Sequence, residues 1–251
     1  MIPALEVAAL WVLFFGSHVV LGLDAVRARL SVRAHLATYI GVAWTTFTAL
    51  CVGYAELRFR GSPGLALASH PVRPALFAAA VLGMSMIVAG ALGYPRAPMR
   101  VLRTATPGPV GLSRITRHPV FVGIVLWAGA HALLATHLSG TVFFAGLAIQ
   151  SALGGWLQDR KLLRRRGEPY REYLSTTSAI PFIAVLTGRQ TLVPRELPIV
   201  LLGLALGTAV SWALRRFHGD LLAWHGVGVA LSVIVGSSAI SLGALRREAP
   251  K

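Results

Sequence analysis

Three histidines on apolar segments are the residues of this chain best equipped for chemistry. His18 lies in the first apolar run, flanked by Gly16, Ser17 and Gly22; His118 and His131 lie on a later one, RITRHPVFVGIVLWAGAHALL. A titratable side chain at membrane depth is costly, so it usually marks a site. A neutral imidazole can hold a metal through one nitrogen while the other donates to a carbonyl. His131 has Trp127 one turn before it on the same helical face. Two such imidazoles on different helices of a bundle can clamp a haem iron from both sides. The plainer reading of either is a hydrogen bond within the core. In depth the two differ: His18 stands six residues from Asp24, about 9 Å of helix rise, and His131 stands thirteen residues past His118, about 20 Å.

A second constellation sits where that later apolar run begins. Arg117-His118-Pro119 places a cation and an imidazole at a helix start, with proline in the first turn, where its missing N–H is no loss. They can hold a carboxylate or a propionate, or simply reach toward the headgroups. Further on come Asp159-Arg160-Lys161, then Gly167, Pro169, Tyr170 and Tyr173. Gly167 is expected to end one helix and Pro169 to begin another whose two tyrosines share a face. That piece is either a basic amphipathic helix on anionic lipid or a lid over a site.

The elements that must position these groups are membrane spans. Of 251 residues, 55% are hydrophobic and 13% charged, where a soluble domain carries about 25% charged; mean hydropathy is +0.66. The net charge of +15 suits the flanks of spans facing anionic lipid, and no nucleic-acid motif accompanies it. The single cysteine, Cys51, excludes an intramolecular disulfide and reads as a packing residue. The N-terminal run has no basic leader and carries Glu6, so it is expected to be a retained span rather than a cleaved signal.

A spanning helix needs roughly 20 mainly apolar residues. Seven stretches approach this: Ile2–Leu23, His35–Tyr54, Pro74–Leu92, Pro119–Ala135, Thr141–Leu157, Leu197–Leu214 and Leu221–Leu242. The expected fold is an all-α integral membrane bundle of seven helices. With the N-terminus outside and the C-terminus inside, nineteen of the 24 Lys and Arg fall on the inner side, as the positive-inside rule requires. The fourth and fifth spans form a tight hairpin through Thr136–Gly140. Ile180–Val185 is too short to cross and is expected to re-enter the interface or pack as a lid. Gly203-x3-Gly207 permits close helix contact. Residues 1–190 are expected to form a five-span core with a cytoplasmic segment, and 191–251 two further spans.

The run ITRHPVFVGIVLWAGAHALL, followed by GGWLQDRKLLRRRGEPYREYLSTTSAIPFIAVLTGRQ, resembles the NnrU family and, within it, the plant and cyanobacterial 15-cis-zeta-carotene isomerases, from about Gly16 to Gln190. The resemblance implies haem b ligated by His18 and His131, and redox-dependent isomerisation of an apolar polyene entering from lipid, with an electron donor. It also implies a cysteine three residues before the second histidine, where this chain has Ala128. Bacterial members are linked to nitrogen-oxide metabolism, which gives a non-catalytic haem protein as an alternative. RHPxxxG with GEPYREY is also similar to the isoprenylcysteine carboxyl and phospholipid methyltransferases. There the matching residues, Arg117, His118, Asp159 and Tyr170, would bind S-adenosylmethionine, although the paired-acid position reads Gln158-Asp159.

Together these readings give an integral protein of the bacterial inner membrane. Its candidate site residues are His18 and His131 as metal ligands, with His118, Arg117, Asp159, Tyr170 and Trp127 around the cofactor.

Overall fold

A computed structural model describes the chain at residues 2–67, 70–93, 106 and 108–224, with backbone only at 24, 32 and 215–224. The described residues are helical: α1 Ile2–Gly22, α2 Asp24–Arg27, α3 Val32–Leu57, α4 Arg73–Gly93, α5 Leu112–Ile115, α6 Pro119–Leu134, α7 Leu138–Arg166, α8 Glu168–Thr176, α9 Ile183–Leu186 and α10 Leu197–Trp224, the last preceded by a 3-10 turn, Pro194–Glu196. The nearest approach to a strand among them is an isolated antiparallel bridge, Pro63 with His137.

Five helices, α1, α3, α4, α7 and α10, are long and apolar enough to cross a membrane, and α6 is a shorter apolar helix of 16 residues. The chain is therefore an integral membrane protein. Six of the seven expected spans fall on these helices. The seventh, Leu221–Leu242, opens on the last four residues of α10 and from His225 onward lies outside the described residues, as do the basic residues Arg96, Arg100, Arg103, Arg246, Arg247 and Lys251 used for orientation.

The chain folds as two compact units. One contains α1 to α3, residues 132–146 and the end of α10 from Phe217; the other contains α4, α5, α6 as far as His131, the second half of α7, and everything from α8 to Arg216.

In the first unit, Ser31 caps α3 by accepting the Ala34 N–H at 3.2 Å. Trp11 is buried against Gly146, where a β-carbon would overlap its indole, and Tyr54 stacks on Phe143 with centroids 4.0 Å apart. The bridge at Pro63 is one contact of a short seam. Gly64 N–H donates to Thr136 O at 2.9 Å, Ala66 N–H to Ala135 O at 3.0 Å, and Leu138 N–H to Ser62 O at 2.9 Å.

In the second unit, α4 and α6 cross where Gly83 meets Gly123. A β-carbon on either would stand 2.6 Å from the other's carbonyl oxygen, so the backbones touch directly. Small residues allow such approach where helices pack in lipid. The Gly203-x3-Gly207 pair of α10 serves the same purpose, with Gly203 against Ala89 and Gly207 against Ser85. Ser85 and Thr208 also share a hydrogen bond at 3.1 Å between these helices.

Candidate functional site

The chain between α5 and α6 carries the most concentrated polar chemistry of the described residues. Thr116 is fully buried, and its hydroxyl donates to Ala179 O at 2.7 Å. Arg117 N–H donates to Ser178 O at 2.8 Å, and Phe182 N–H to Ile115 O at 2.9 Å. The loop after α8 is thereby laced along residues 115–117, and the Arg117 and His118 side chains are turned toward α7.

There they meet Asp159. Arg117 brings Nε and Nη2 each to 2.8 Å from Asp159 Oδ2, while its Nη1 reaches Thr177 O at 3.4 Å. Tyr170 donates its hydroxyl to Asp159 Oδ1 at 2.7 Å. His118 Nε2 stands 2.9 Å from the same oxygen, without the alignment a hydrogen bond requires. One carboxylate thus serves a guanidinium, a phenol and an imidazole. His118 is 3% exposed, and its Nδ1 has no hydrogen-bond partner among the described residues.

Local sequence explains how these groups meet. α7 runs past the apolar stretch because DRKLLRRR contains no helix breaker. It stops at Gly167, whose φ of +60° is readily adopted only without a β-carbon. The chain then re-enters a helix with Pro169 in its first turn, and Tyr170 and Tyr173 share the buried face of α8, packed with Leu162 of α7. Burial and the hydrogen bond to Asp159 push the Tyr170 phenol well above its ordinary range, and burial pushes Tyr173 up to about 12.

Sequence reasoning missed Gly154 and Gly155. A β-carbon on Gly155 would stand 3.3 Å from the His118 ring, and one on Gly154 would stand 3.2 Å from Phe121, which packs edge-on to His118. The only signal was the adjacent pair of glycines inside a spanning helix. Thr116 and Thr177, both essentially buried, carried no signal beyond their place beside candidate residues.

The remaining histidines form separate settings. In the second unit, His131 Nδ1 lies 2.7 Å from Trp127 O, and the two rings are tilted against each other with centroids 4.4 Å apart. In the first unit, His18 Nδ1 lies 2.7 Å from Phe14 O, between the rings of Phe14 at 4.3 Å and Tyr39 at 5.2 Å. A carbonyl oxygen only accepts, so both imidazoles carry their proton on Nδ1, and in the neutral form Nε2 is an acceptor. Ala128, one turn before His131, is completely buried. No group of three or more His, Cys, Asp or Glu is arranged to hold a metal ion among the described residues.

Two curated relatives, both named chloroplastic 15-cis-zeta-carotene isomerase, are similar to the chain. The protein from Zea mays is 36% identical over 122 residues, covering 45% of this chain and 33% of its own length. The protein from Arabidopsis thaliana is 40% identical over 82 residues, covering 33% of this chain and 22% of its own length. The chain thus spans a third or less of the relatives it matches. No solved structure matches it significantly. The model of the family described as NnrU protein matches residues 6–231, nearly the whole chain, and the protein belongs to the NnrU family.

Proposed function

We propose that this protein binds haem b and acts as a redox-dependent cis–trans isomerase, or a related redox enzyme, on an apolar polyene. The isomerase activity for which its two relatives are named supports the reaction class. The observation that carries the cofactor is the shared state of His18 and His131. Each fixes Nδ1–H on the carbonyl four residues earlier, the second-shell arrangement that orients metal-binding histidines and makes Nε2 the ligand atom. Haem would supply a redox-active iron.

The chain's own residues would hold and orient it. Trp127 restricts rotation of the His131 ring, and Phe14 and Tyr39 restrict that of His18. Arg117 and His118, held by Asp159, would order the end of the site at the start of α6. The substrate would enter from lipid, because a polyene partitions there. An external electron donor would set the redox state, and the bacterial inner membrane is the expected location. If the protein only binds haem, as an accessory of nitrogen-oxide metabolism, the same histidines apply and turnover is absent.

The methyl-donor alternative places the methionine ammonium of S-adenosylmethionine on Asp159. That carboxylate already receives Arg117 and Tyr170 and faces His118, which leaves it little capacity for another cation. We therefore prefer haem.

The test is an absorption spectrum of the purified protein, oxidised and reduced. A Soret band with sharp low-spin bands, lost in His18→Ala and in His131→Ala but kept in His118→Ala, is the expected result. A colourless protein after expression with added haem would sink the proposal, and S-adenosylmethionine titration would then be the measurement to make.

A further inference from the structure

We propose that residues 179–186 form an interfacial anchor. Their apolar tip is seated in the boundary between lipid headgroups and acyl chains, at the end of the spans where α6 begins. The segment leaves Ile180 66%, Phe182 50% and Leu186 79% exposed, with Ile183 beside them, while Ala184 alone is buried beneath. Large apolar side chains scattered singly over a surface need no explanation, but a contiguous group marks an interaction site. The segment is far too short to span.

Its position says what covers it. Phe182 N–H is bonded to Ile115 O and Arg117 N–H to Ser178 O, so the tip is fixed to chain lying two to four residues before Pro119, the first residue of α6. On the other side, Arg114 grips Glu196 through two hydrogen bonds, at 2.8 and 2.9 Å, one residue before α10 begins. The tip is thus tied to the starts of two apolar helices. The first turns of α10 also expose Ile199, Leu201 and Leu202, each more than half.

Charge agrees with an anionic lipid surface. Arg164, Arg165 and Arg166 fill the last turn of α7, and Arg189 closes the segment. Basic residues flanking an apolar face are the signature of interfacial seating. Phe182 also sits at φ +65°, a region bulky residues seldom adopt, and the tight turn this makes puts its ring at the tip. Because Thr177, Ser178 and Ala179 offer the carbonyls that hold Arg117 and Thr116, lipid seating of the tip would also position the Asp159 cluster. This inference does not depend on haem.

Depth measurement tests it. The full chain with Cys51→Ser would carry a nitroxide at Phe182→Cys, Leu186→Cys or, as an aqueous reference, Glu172→Cys, in vesicles of phosphatidylcholine and phosphatidylglycerol. Power saturation with oxygen and with a water-soluble nickel chelate then reports the surroundings. We expect positions 182 and 186 to favour oxygen and position 172 to favour nickel. Water-like access at 182 and 186 would overturn the proposal. Poor access to both reagents would overturn it too, showing a protein surface or a second copy over the tip. Leu186→Trp provides a second measurement that leaves Phe182 intact. Its fluorescence should be quenched by brominated acyl chains, and an unquenched tryptophan with water-exposed emission counts against the anchor.

Discussion

Tyr170 reaches back over eleven residues to donate its phenolic O–H to Asp159 Oδ1 at 2.7 Å, and so pins α8 against the end of α7. A hydrogen bond to a charged acceptor contributes about 1.5–3 kcal/mol. Tyr170→Phe keeps the ring and removes that bond. Its thermal unfolding midpoint in detergent is expected to fall accordingly, while Tyr173→Phe, at the neighbouring ring, should cost less. Equal losses would mean that ring packing, not the bond to Asp159, holds α8.

Removing the carboxylate is harsher. Asp159→Ala strands the Arg117 guanidinium, which is 17% exposed, beside His118 with no counter-charge. Breaking a largely buried pair from one side costs roughly 3 kcal/mol. Arg117→Met together with Asp159→Leu removes both charges and should recover part of the loss. A double change as damaging as the sum of the two single ones would deny that the two residues act as a pair.

Alkaline stability follows from the two phenols. Burial raises Tyr173 from an ordinary value near 10 to about 12, and Tyr170 is raised as well. The unfolded chain then loses these protons at lower pH than the folded one. Their contribution is complete below pH 10 and declines as pH climbs through the window from 10 to about 12. Spectrophotometric titration should show at least these two tyrosines ionising late, together with loss of helix. Normal ionisation of all five tyrosines with the fold intact would contradict it.

At the crossing of α4 and α6, Gly83→Ala would press a methyl group to 2.6 Å from Gly123 O. Backbone cannot yield as a side chain does, so the helices must separate, at a cost of about 1–3 kcal/mol. Gly129→Ala, on the same α6 with nothing within 4 Å of the added carbon, is the matched control and should be neutral or slightly stabilising. Chemical unfolding of the pair side by side decides the matter.

The Arg114–Glu196 pair should matter less. Both side chains are about one-fifth exposed, so Glu196→Gln is expected to cost about 1 kcal/mol, with a loss that shrinks as salt rises. A cost independent of ionic strength would assign the contact to hydrogen bonding with Gly111 N–H and not to charge.

The helices were legible because apolar length announces a span whatever its neighbours are. Gly167 and Pro169 gave away the break between α7 and α8 because both act through local backbone geometry. The ends of α7 were harder to place. Hydropathy suggested Thr141–Leu157, but helix propensity carries the charged run on to Arg166, and a membrane edge is not a helix end. What could not be read were contacts set by tertiary packing. Arg114 meets Glu196 across 82 residues, and nothing in either neighbourhood nominates the other. Gly155 is ordinary in a spanning helix until the His118 ring is found resting on it. The Nδ1 bonds of His18 and His131 depend on side-chain rotamers, which sequence spacing leaves open.

The seam joining residues 62–66 to residues 135–138 has a consequence for biosynthesis. Its first edge leaves the ribosome with α3, long before its second edge has been translated. Until the turn between α6 and α7 is made, Gly64 and Ala66 have no backbone acceptors for their N–H groups, and the Leu57 carbonyl awaits the Ser139 hydroxyl. The first pair of helices can enter the bilayer alone, but the loop that follows them can close only after two further apolar helices have been synthesised. Translation therefore leaves an open interval in this protein's maturation, during which that loop lacks the backbone partners it has in the finished fold.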